Sequence, residues 1–257
     1  MLDTWRDAWL DLVHGGCCVG CAAPGRALCA ECSIDLPDVG APVRPTPCPD
    51  GLAACFAAGE YDGLLRAMVL AHKERGAFSL ARPLGRVLAG AALPALPAPD
   101  RPGATRVAAL TVLVPVPSRS AVVRARGHDP MLRITRVAAR RLRGEGHRVV
   151  LGRVLAVRAP VADQTGLSAA GRAANLAGSM VVRPRVRETM ARGGQAVSVV
   201  VCDDVLTTGA TAREAQRALE ETGLPVRAVA TVAATRRRLP VSRSRPDWAL
   251  PILGPAH

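Results

Sequence analysis

Apolar positions fall into two regimes along the chain. From Leu110 onward, short apolar runs ("LTVLVPV", "VLAV", "AVSVVVC" and "VRAVATVA") alternate with stretches whose apolar residues recur every three to four positions. The runs read as strands, and the periodic stretches, roughly 129–143, 168–177 and 210–222, as helices. That alternation predicts an α/β fold with a mostly parallel central sheet flanked by helices. Upstream, "CFAAGEYDG" reads as a strand, and "LLRAMVLAHKERG" and "LARPLGRVLAGAAL" as two helices. The stretch "LPALPAPDRPGATRVAA" (93–109) carries four prolines and reads as a surface linker. The opening "MLDTWRDAWLDLVHGG" has the pattern of a short amphipathic helix. The chain thus divides into an N-terminal helix and cysteine-rich module over 1–50, an α/β domain over 51–235, and an Arg/Pro-rich tail over 236–257.

Charge changes this picture in one respect. The formal net charge is +13, from 34 basic and 21 acidic residues, and Lys73 is the one lysine among the basic residues. Such an excess favours a polyanionic partner, phosphates or nucleic acid. Aromatics at 2% argue against rows of side chains that stack on bases. A row of Arg133, Arg136, Arg140 and Arg143 follows one face of the helix predicted at 129–143, with Met131, Ile134, Ala138 and Leu142 opposite. That row suits single-stranded DNA, or it is a solvated face in an Arg-rich protein. No apolar run reaches the roughly 18–20 residues that a membrane span needs. Asp3, Asp7 and Asp11 interrupt the N-terminal apolar residues, unlike a secretory leader. The expectation is a cytoplasmic protein with no membrane insertion, whose thiols stay reduced and bind metal more often than they pair.

Six of the eight cysteines lie before residue 51. Cys18, Cys21, Cys29 and Cys32 follow C-x2-C-x7-C-x2-C, a spacing that presents two close thiolate pairs to one Zn²⁺. Four thiolates leave no open coordination position, so the zinc is expected to be structural. Cys17 offers an alternative register with poorer spacing. Cys48 and Cys55 lack a close partner, and Cys202 lies within an apolar strand as a small core residue.

The stretch "VVVCDDVLTTGATAREA" (199–215) concentrates the candidate chemistry. An apolar strand runs into Asp203 and Asp204, a short loop follows, and a helix opens that Gly223 is placed to end. In open α/β sheets ligands bind at the carboxyl ends of strands. Unpaired N–H groups of the loop and first helical turn, with the helix dipole, favour a phosphate there. Gly209 permits close backbone approach, and Thr207, Thr208 and Thr211 add hydroxyls. Asp203 and Asp204 repel phosphate but accept hydrogen bonds from sugar hydroxyls. A phosphate loop beside paired hydroxyl acceptors describes a site for ribose 5-phosphate. A P-loop would need Gly-Lys-Ser/Thr and a dinucleotide site G-x-G-x-x-G, and neither is present.

This segment resembles the PRPP-binding motif of type I phosphoribosyltransferases. The resemblance assigns Asp203 and Asp204 to the ribose hydroxyls and Val205, Leu206, Thr207, Thr208, Gly209, Ala210 and Thr211 to the loop that holds the 5′-phosphate. "VLVPVPSRSAVVRARGHDP" (112–130) supplies Ser118 and Arg119 in a turn after a strand, with Arg124 and Arg126 following, as a second loop for diphosphate requires. "DQTGLSAAGRAANLAG" (163–178) is a polar turn leading into a helix, with Gln164, Ser168, Arg172 and Asn175. Together with "YDGLLRAMVLAHKERG", which carries Lys73 and Arg75, these stretches resemble the competence-associated ComF/GntX-type family in order, over about residues 17–235. The sequence departs from that pattern at Gly127-His128-Asp129-Pro130 and at Gly171. The resemblance implies a type I phosphoribosyltransferase-like fold, PRPP bound with Mg²⁺, catalytic roles for Asp203, Asp204 and Arg119, and PRPP contacts from Ser118, Arg119 and Lys73. It implies transfer of phosphoribosyl to an unidentified acceptor and a link to DNA uptake. The alternatives are a non-catalytic accessory that retains the fold and binds single-stranded DNA or a DNA-uptake or recombination protein, and a PRPP sensor.

Overall fold

Val199, Val200 and Val201 are at most 1% exposed, as a strand covered on both faces requires. They lie in the middle of a sheet in a computed structural model that describes residues 16–99, 109–118, 123–124, 127–158, 178–184 and 197–235. The N-terminal helix read at the start of the chain, Arg119, Arg126, the segment with Gln164, Ser168, Arg172 and Asn175, and the tail from 236 lie outside the described residues.

The described elements run in the order α1 (Ala30–Ile34), β1 (Ala41–Val43), β2 (Ala54–Glu60), α2 (Gly63–Glu74), α3 (Ala81–Ala92), β3 (Leu110–Pro115), α4 (Pro130–Gly144), β4 (Val149–Leu151), β5 (Leu155–Val157), β6 (Met180–Val182), β7 (Val197–Leu206), α5 (Ala210–Glu220) and β8 (Val226–Ala234). Six strands form one sheet in the order β1-β2-β8-β7-β3-β4. Every neighbouring pair is parallel except β1 with β2, which is antiparallel. The expected mixed α/β architecture with a mostly parallel sheet is therefore present. Residues 41–43, upstream of the α/β stretch read from the sequence, supply its edge strand.

One expected strand sits elsewhere. "VLAV" was read with the parallel strands, but β5 pairs antiparallel with β6 in a separate two-stranded sheet. A short apolar run carries no information on its partner, and here Val154 and Leu155 are buried by the packing of this hairpin against α5. Glu214 on α5 ties the hairpin down: its Oε1 accepts from Met180 N at 2.9 Å, and Arg217 donates to Met180 O at 3.0 Å.

Two apolar cores cover the two faces of the sheet. On one, Met68 of α2, Leu84 and Leu88 of α3, and Ile134 and Leu142 of α4 pack on Leu113, Val200 and Ala230. On the other, Ala212, Ala215 and Leu219 of α5 pack with the β5–β6 hairpin on Val114, Val201 and Val229. The connection from β3 through α4 leads outward to β4, and that from β7 through α5 leads outward the other way to β8. Right-handed crossovers in opposite directions place their helices on opposite faces. The point between β3 and β7 is therefore a topological switch, where a crevice opens beyond the carboxyl ends of the strands.

Candidate functional site

A cleft of about 420 Å³ occupies that switch point. It falls within the size range of small-molecule sites, about 300–1,000 Å³. Its walls come from the ends of β2 (Tyr61), β3 (Val116, Pro117, Ser118) and β7 (Asp203, Asp204, Val205), the loop and start of α5 (Thr207, Thr211), the start of α4 (Pro130, Met131) and one side of α2 (Val69, Leu70, Lys73, Glu74). Of the residues proposed from sequence, the fold brings Lys73, Ser118, Asp203, Asp204, Val205, Thr207 and Thr211 to this one cleft.

The other loop residues sit differently. Leu206 is 3% exposed and belongs to the core. Thr208 Oγ1 accepts from Ala210 N at 3.5 Å, and Ala210 is the first helical residue of α5. Gly209 is buried, with φ at +73°, a conformation natural to glycine. A Cβ there would stand 2.9 Å from Leu52 Cδ2, 3.0 Å from Pro45 Cγ and 3.2 Å from Pro49 Cδ. Close approach at Gly209 is thus made by the 45–52 segment, packed over the loop. α5 holds this segment by side chains: Arg213 Nε donates to Asp50 O at 3.0 Å, Gln216 Nε2 donates to Gly51 O at 2.9 Å, and Gln216 Oε1 accepts from Ala53 N at 2.9 Å.

The acids are the electrostatic centre of the cleft. Asp203 Oδ1 accepts from the Asp204 N–H at 2.9 Å. Asp204 is buried and receives Lys73 Nζ on Oδ2 at 2.7 Å. Lys73 comes from the last turn of α2, which Asp62 caps at the other end, its side chain accepting from Gly63 N at 2.8 Å. Beside it, His72 is 1% exposed, with Nδ1 3.1 Å from Ala77 O. Burial pushes the His72 imidazole down to about 4, so it packs as a neutral ring. Burial pushes the Asp203 carboxyl up to about 8, and the charge of Asp204 adds to this. The Asp204 N–H and the Lys73 ammonium act in the opposite sense and offset only part of it.

Sequence periodicity missed Tyr61, Val69, Leu70, Glu74, Pro130 and Met131 as cleft residues. The α2 members lie beside Lys73 on one helical face, and Pro130 and Met131 open a helix that Asp129 caps, its side chain accepting from Leu132 N. Their convergence depends on pairings distant in the chain.

A second candidate site lies at the N-terminal cysteines. The Sγ atoms of Cys18, Cys21, Cys29 and Cys32 all lie within 4.8 Å of one another, and among the described residues this is the one group of three or more potential ligands so arranged. Cys21 and Cys29 are 3.6 Å apart. Zinc–sulfur bonds of about 2.3 Å imply tetrahedral sulfur separations of about 3.8 Å, so the four thiols fit a zinc ion with small closure. Backbone N–H groups support the sulfurs: Cys29 N donates to Cys18 Sγ and Cys32 N to Cys29 Sγ, both at 3.4 Å. Burial opposes ionisation of Cys18, yet donors at Cys29, Cys21 and Gly20 bring its thiol down to about 6. The Cys32 thiol is pushed up by its contacts with Cys29 and Cys18, since four sulfurs share ionisation poorly without a cation. A Cβ at Gly20 would lie 2.8 Å from Cys32 Sγ and 3.0 Å from Leu64 Cδ1, so glycine is needed where the knuckle meets α2. Cys17 is exposed and bridges Pro24, Cys48 donates to Pro49 O, and Cys55 and Cys202 are buried in strands. None of these four joins the cluster.

Two outcomes are expected. Purified protein should hold about one zinc per chain by metal analysis, and Cys18→Ser combined with Cys32→Ser should remove it. Stoichiometric zinc in that double variant would move the metal elsewhere. The second concerns pH. A carboxyl whose folded pKa lies above its unfolded value of about 3.9 binds a proton in the folded state alone between those values. Its contribution to stability is complete below the unfolded value and is lost as pH rises toward about 8. Asp203→Asn keeps the acceptor for the Asp204 N–H, so it should raise the unfolding free energy from urea titration near pH 8, by about 1 kcal/mol or more, with a higher midpoint, and converge with wild type near pH 4. An equal or lower midpoint at pH 8 would contradict the burial argument.

Compared with protein-family models and with curated proteins, the chain matches none.

Proposed function

We propose that the chain is a type I phosphoribosyltransferase-like protein whose cleft binds PRPP with Mg²⁺ and transfers phosphoribosyl to a nitrogen acceptor. One observation carries this reading: Asp203, Asp204, Thr207 and Thr211 line a single cleft at the switch point, where β7 runs into α5. Threonine hydroxyls and the amino end of α5 suit the 5′-phosphate, and the two aspartate side chains offer oxygen acceptors to the ribose hydroxyls. Lys73 and Ser118 line the same cleft and suit the 1-diphosphate, with Arg119 next in sequence. Mg²⁺ would neutralise charge on the diphosphate, with Asp203 and Asp204 among the acids lining the cleft. Among the described residues the acid pair forms no group of three metal ligands, so that ion would be held chiefly through the ligand.

In the proposed transfer, a bond forms between the acceptor nitrogen and the anomeric carbon. The bond from that carbon to the diphosphate oxygen breaks, and its electron pair leaves with the diphosphate. The nitrogen releases its proton to water. Cationic side chains at the diphosphate end stabilise the leaving group, and Asp203 and Asp204 hold the sugar as its ring becomes positive. A PRPP sensor would use the same contacts without turnover. Following diphosphate release from PRPP and Mg²⁺ over a panel of bases and amines separates the two.

A second reading, a surface for single-stranded DNA, is favoured by the arginines of α3 and α4. Arg82 and Arg86 on α3, and Arg136 and Arg140 on α4, are exposed and make no ion pair among the described residues. The two helices pack together, and Arg141 of α4 reaches Arg86 O at 3.5 Å. Arg133 is instead stacked 4.5 Å over Phe78, and Arg143 donates to Val149 O at 3.4 Å.

PRPP with Mg²⁺ should stabilise the fold by about 2.7 kcal/mol at a hundred times its dissociation constant. Asp203→Asn should reduce that ligand-induced gain, opposite in sign to its effect on the unliganded protein at pH 8. Absence of a shift in wild type, or a full shift in Asp203→Asn, would overturn the reading. For the second surface, affinity for a single-stranded oligonucleotide should fall steeply with salt. Arg136→Ala with Arg140→Ala should flatten the log–log slope by about 1.4, from about 0.7 per phosphate contact. An unchanged slope in the double variant would remove the arginine face from consideration.

A further inference from the structure

Lys73 holds a position that its surroundings make unusual. Its Nζ lies 2.7 Å from Asp204 Oδ2, a charge-assisted contact. The Asp204 side chain is 12% exposed and the lysine side chain 37%, so the carboxylate is fixed while the ammonium faces the cleft. Asp203 adjoins the pair, and Lys73 and Ser118 line the cleft together. A sugar hydroxyl that hydrogen-bonds to Asp204 must therefore share or displace the ammonium. Displacement to water surrenders an ion pair. Displacement onto an anion of the ligand exchanges one ion pair for another.

The residue type bears on this. Of 34 basic residues in the chain, Lys73 is the one lysine. An arginine here would meet the carboxylate with a planar fork and hold it by two parallel bonds. An ammonium on a four-carbon stem is a point charge that swivels between acceptors. The stem rises from the last turn of α2, whose end is secured by the Arg75 N–H to Ala71 O and by His72 against Ala77 O. The base of the side chain is thus fixed and its tip is the part that can transfer.

We propose that Lys73 is the selectivity element of the cleft: its ammonium passes from Asp204 to the 1-diphosphate of the ligand, so that ribose 5-phosphates carrying an anion at the anomeric position are selected over those that lack one. This rests on the ribose 5-phosphate reading above and adds to it the discrimination between PRPP and ribose 5-phosphate. No covalent step is involved. Lys73 releases Asp204 to the sugar hydroxyls only when the diphosphate receives the charge.

The test is calorimetric titration of the full chain with PRPP plus Mg²⁺ and, separately, with ribose 5-phosphate, with the unfolding midpoint of each variant recorded to confirm folding. Lys73→Met should weaken PRPP by about tenfold or more, the scale of one charge-assisted contact. It should leave ribose 5-phosphate unchanged or tighter, so the preference collapses. Lys73→Arg keeps the charge but leaves the fork on Asp204, so both ligands should weaken together. Equal weakening of both ligands in Lys73→Met, no change in either, or wild-type affinities in Lys73→Arg would each overturn the exchange while the ribose 5-phosphate reading stands. Failure of wild type to bind either ligand would overturn that reading, and the exchange with it.

Discussion

Two adjacent carboxylates end a strand that is otherwise apolar, and the fold must keep both out of bulk water without leaving them uncompensated. Asp204 meets this through the Lys73 ammonium, 131 residues earlier in the chain. Asp203 meets it only in part, and burial raises its carboxyl to about 8. Removing charge from water is costly unless a partner of good geometry offsets it. A stability-driven sequence would place valine or alanine at these positions, as it does at Val199–Val201, Ala228–Ala230 and Val232–Ala234 nearby. The acids are therefore the point at which this sheet departs from its own pattern, and such departures are expected at sites that serve a ligand.

That ion pair also fixes the relation of α2 to β7. α2 belongs to the core on one face of the sheet, α5 to the core on the other. The cleft needs side chains from both. β7 passes between the faces and carries the acids to the crevice, so one strand end connects what the two cores hold apart. Because the crossovers from β3 and β7 diverge, none of the described helices closes the gap between them, and a ligand-sized space follows from the topology.

Legibility in the sequence tracks the range of the interactions. β7 and α5 were readable because a valine run, a 3.6-residue period and Gly223 at φ +78° are local signals. β1 and β4, at three residues each, are too short to show a period. "VLAV" was readable as a strand but not as half of a hairpin, since its partner Met180–Val182 lies beyond a long intervening stretch. Nothing local to α5 marks Glu214 for burial, yet it is 5% exposed and holds that hairpin. Gly209 was readable as a position of close approach, whereas the groups that approach it, Pro45, Pro49 and Leu52, were not. At the candidate site, residue types and their order were visible, and the α2 wall was not, because nothing near Val69 or Leu70 records which strand end they will face.

The N-terminal segment gains its meaning from these long-range contacts. The four-cysteine knuckle touches the start of α2 through Gly20 and Leu64, while the other end of α2 delivers Lys73 to Asp204. Between knuckle and β2 the chain adds β1 to the sheet and then lies over Gly209, held by Arg213 and Gln216. One stretch of chain thus bears on both sides of the acid pair, through a rigid helix on one side and the turn that opens α5 on the other. The segment contributes Ala27 to the core, with Val19, Leu28 and Leu36 packed against it, and leaves other apolar side chains in water. Ile34 and Val39 are in fact left at 80% and 64% exposure. Four thiols placed so that they could hold one metal ion would add a further constraint, because metal binding to a small loop is itself folding free energy. On this view the knuckle is structural support for the cleft, and its physical effect reaches the acids through α2.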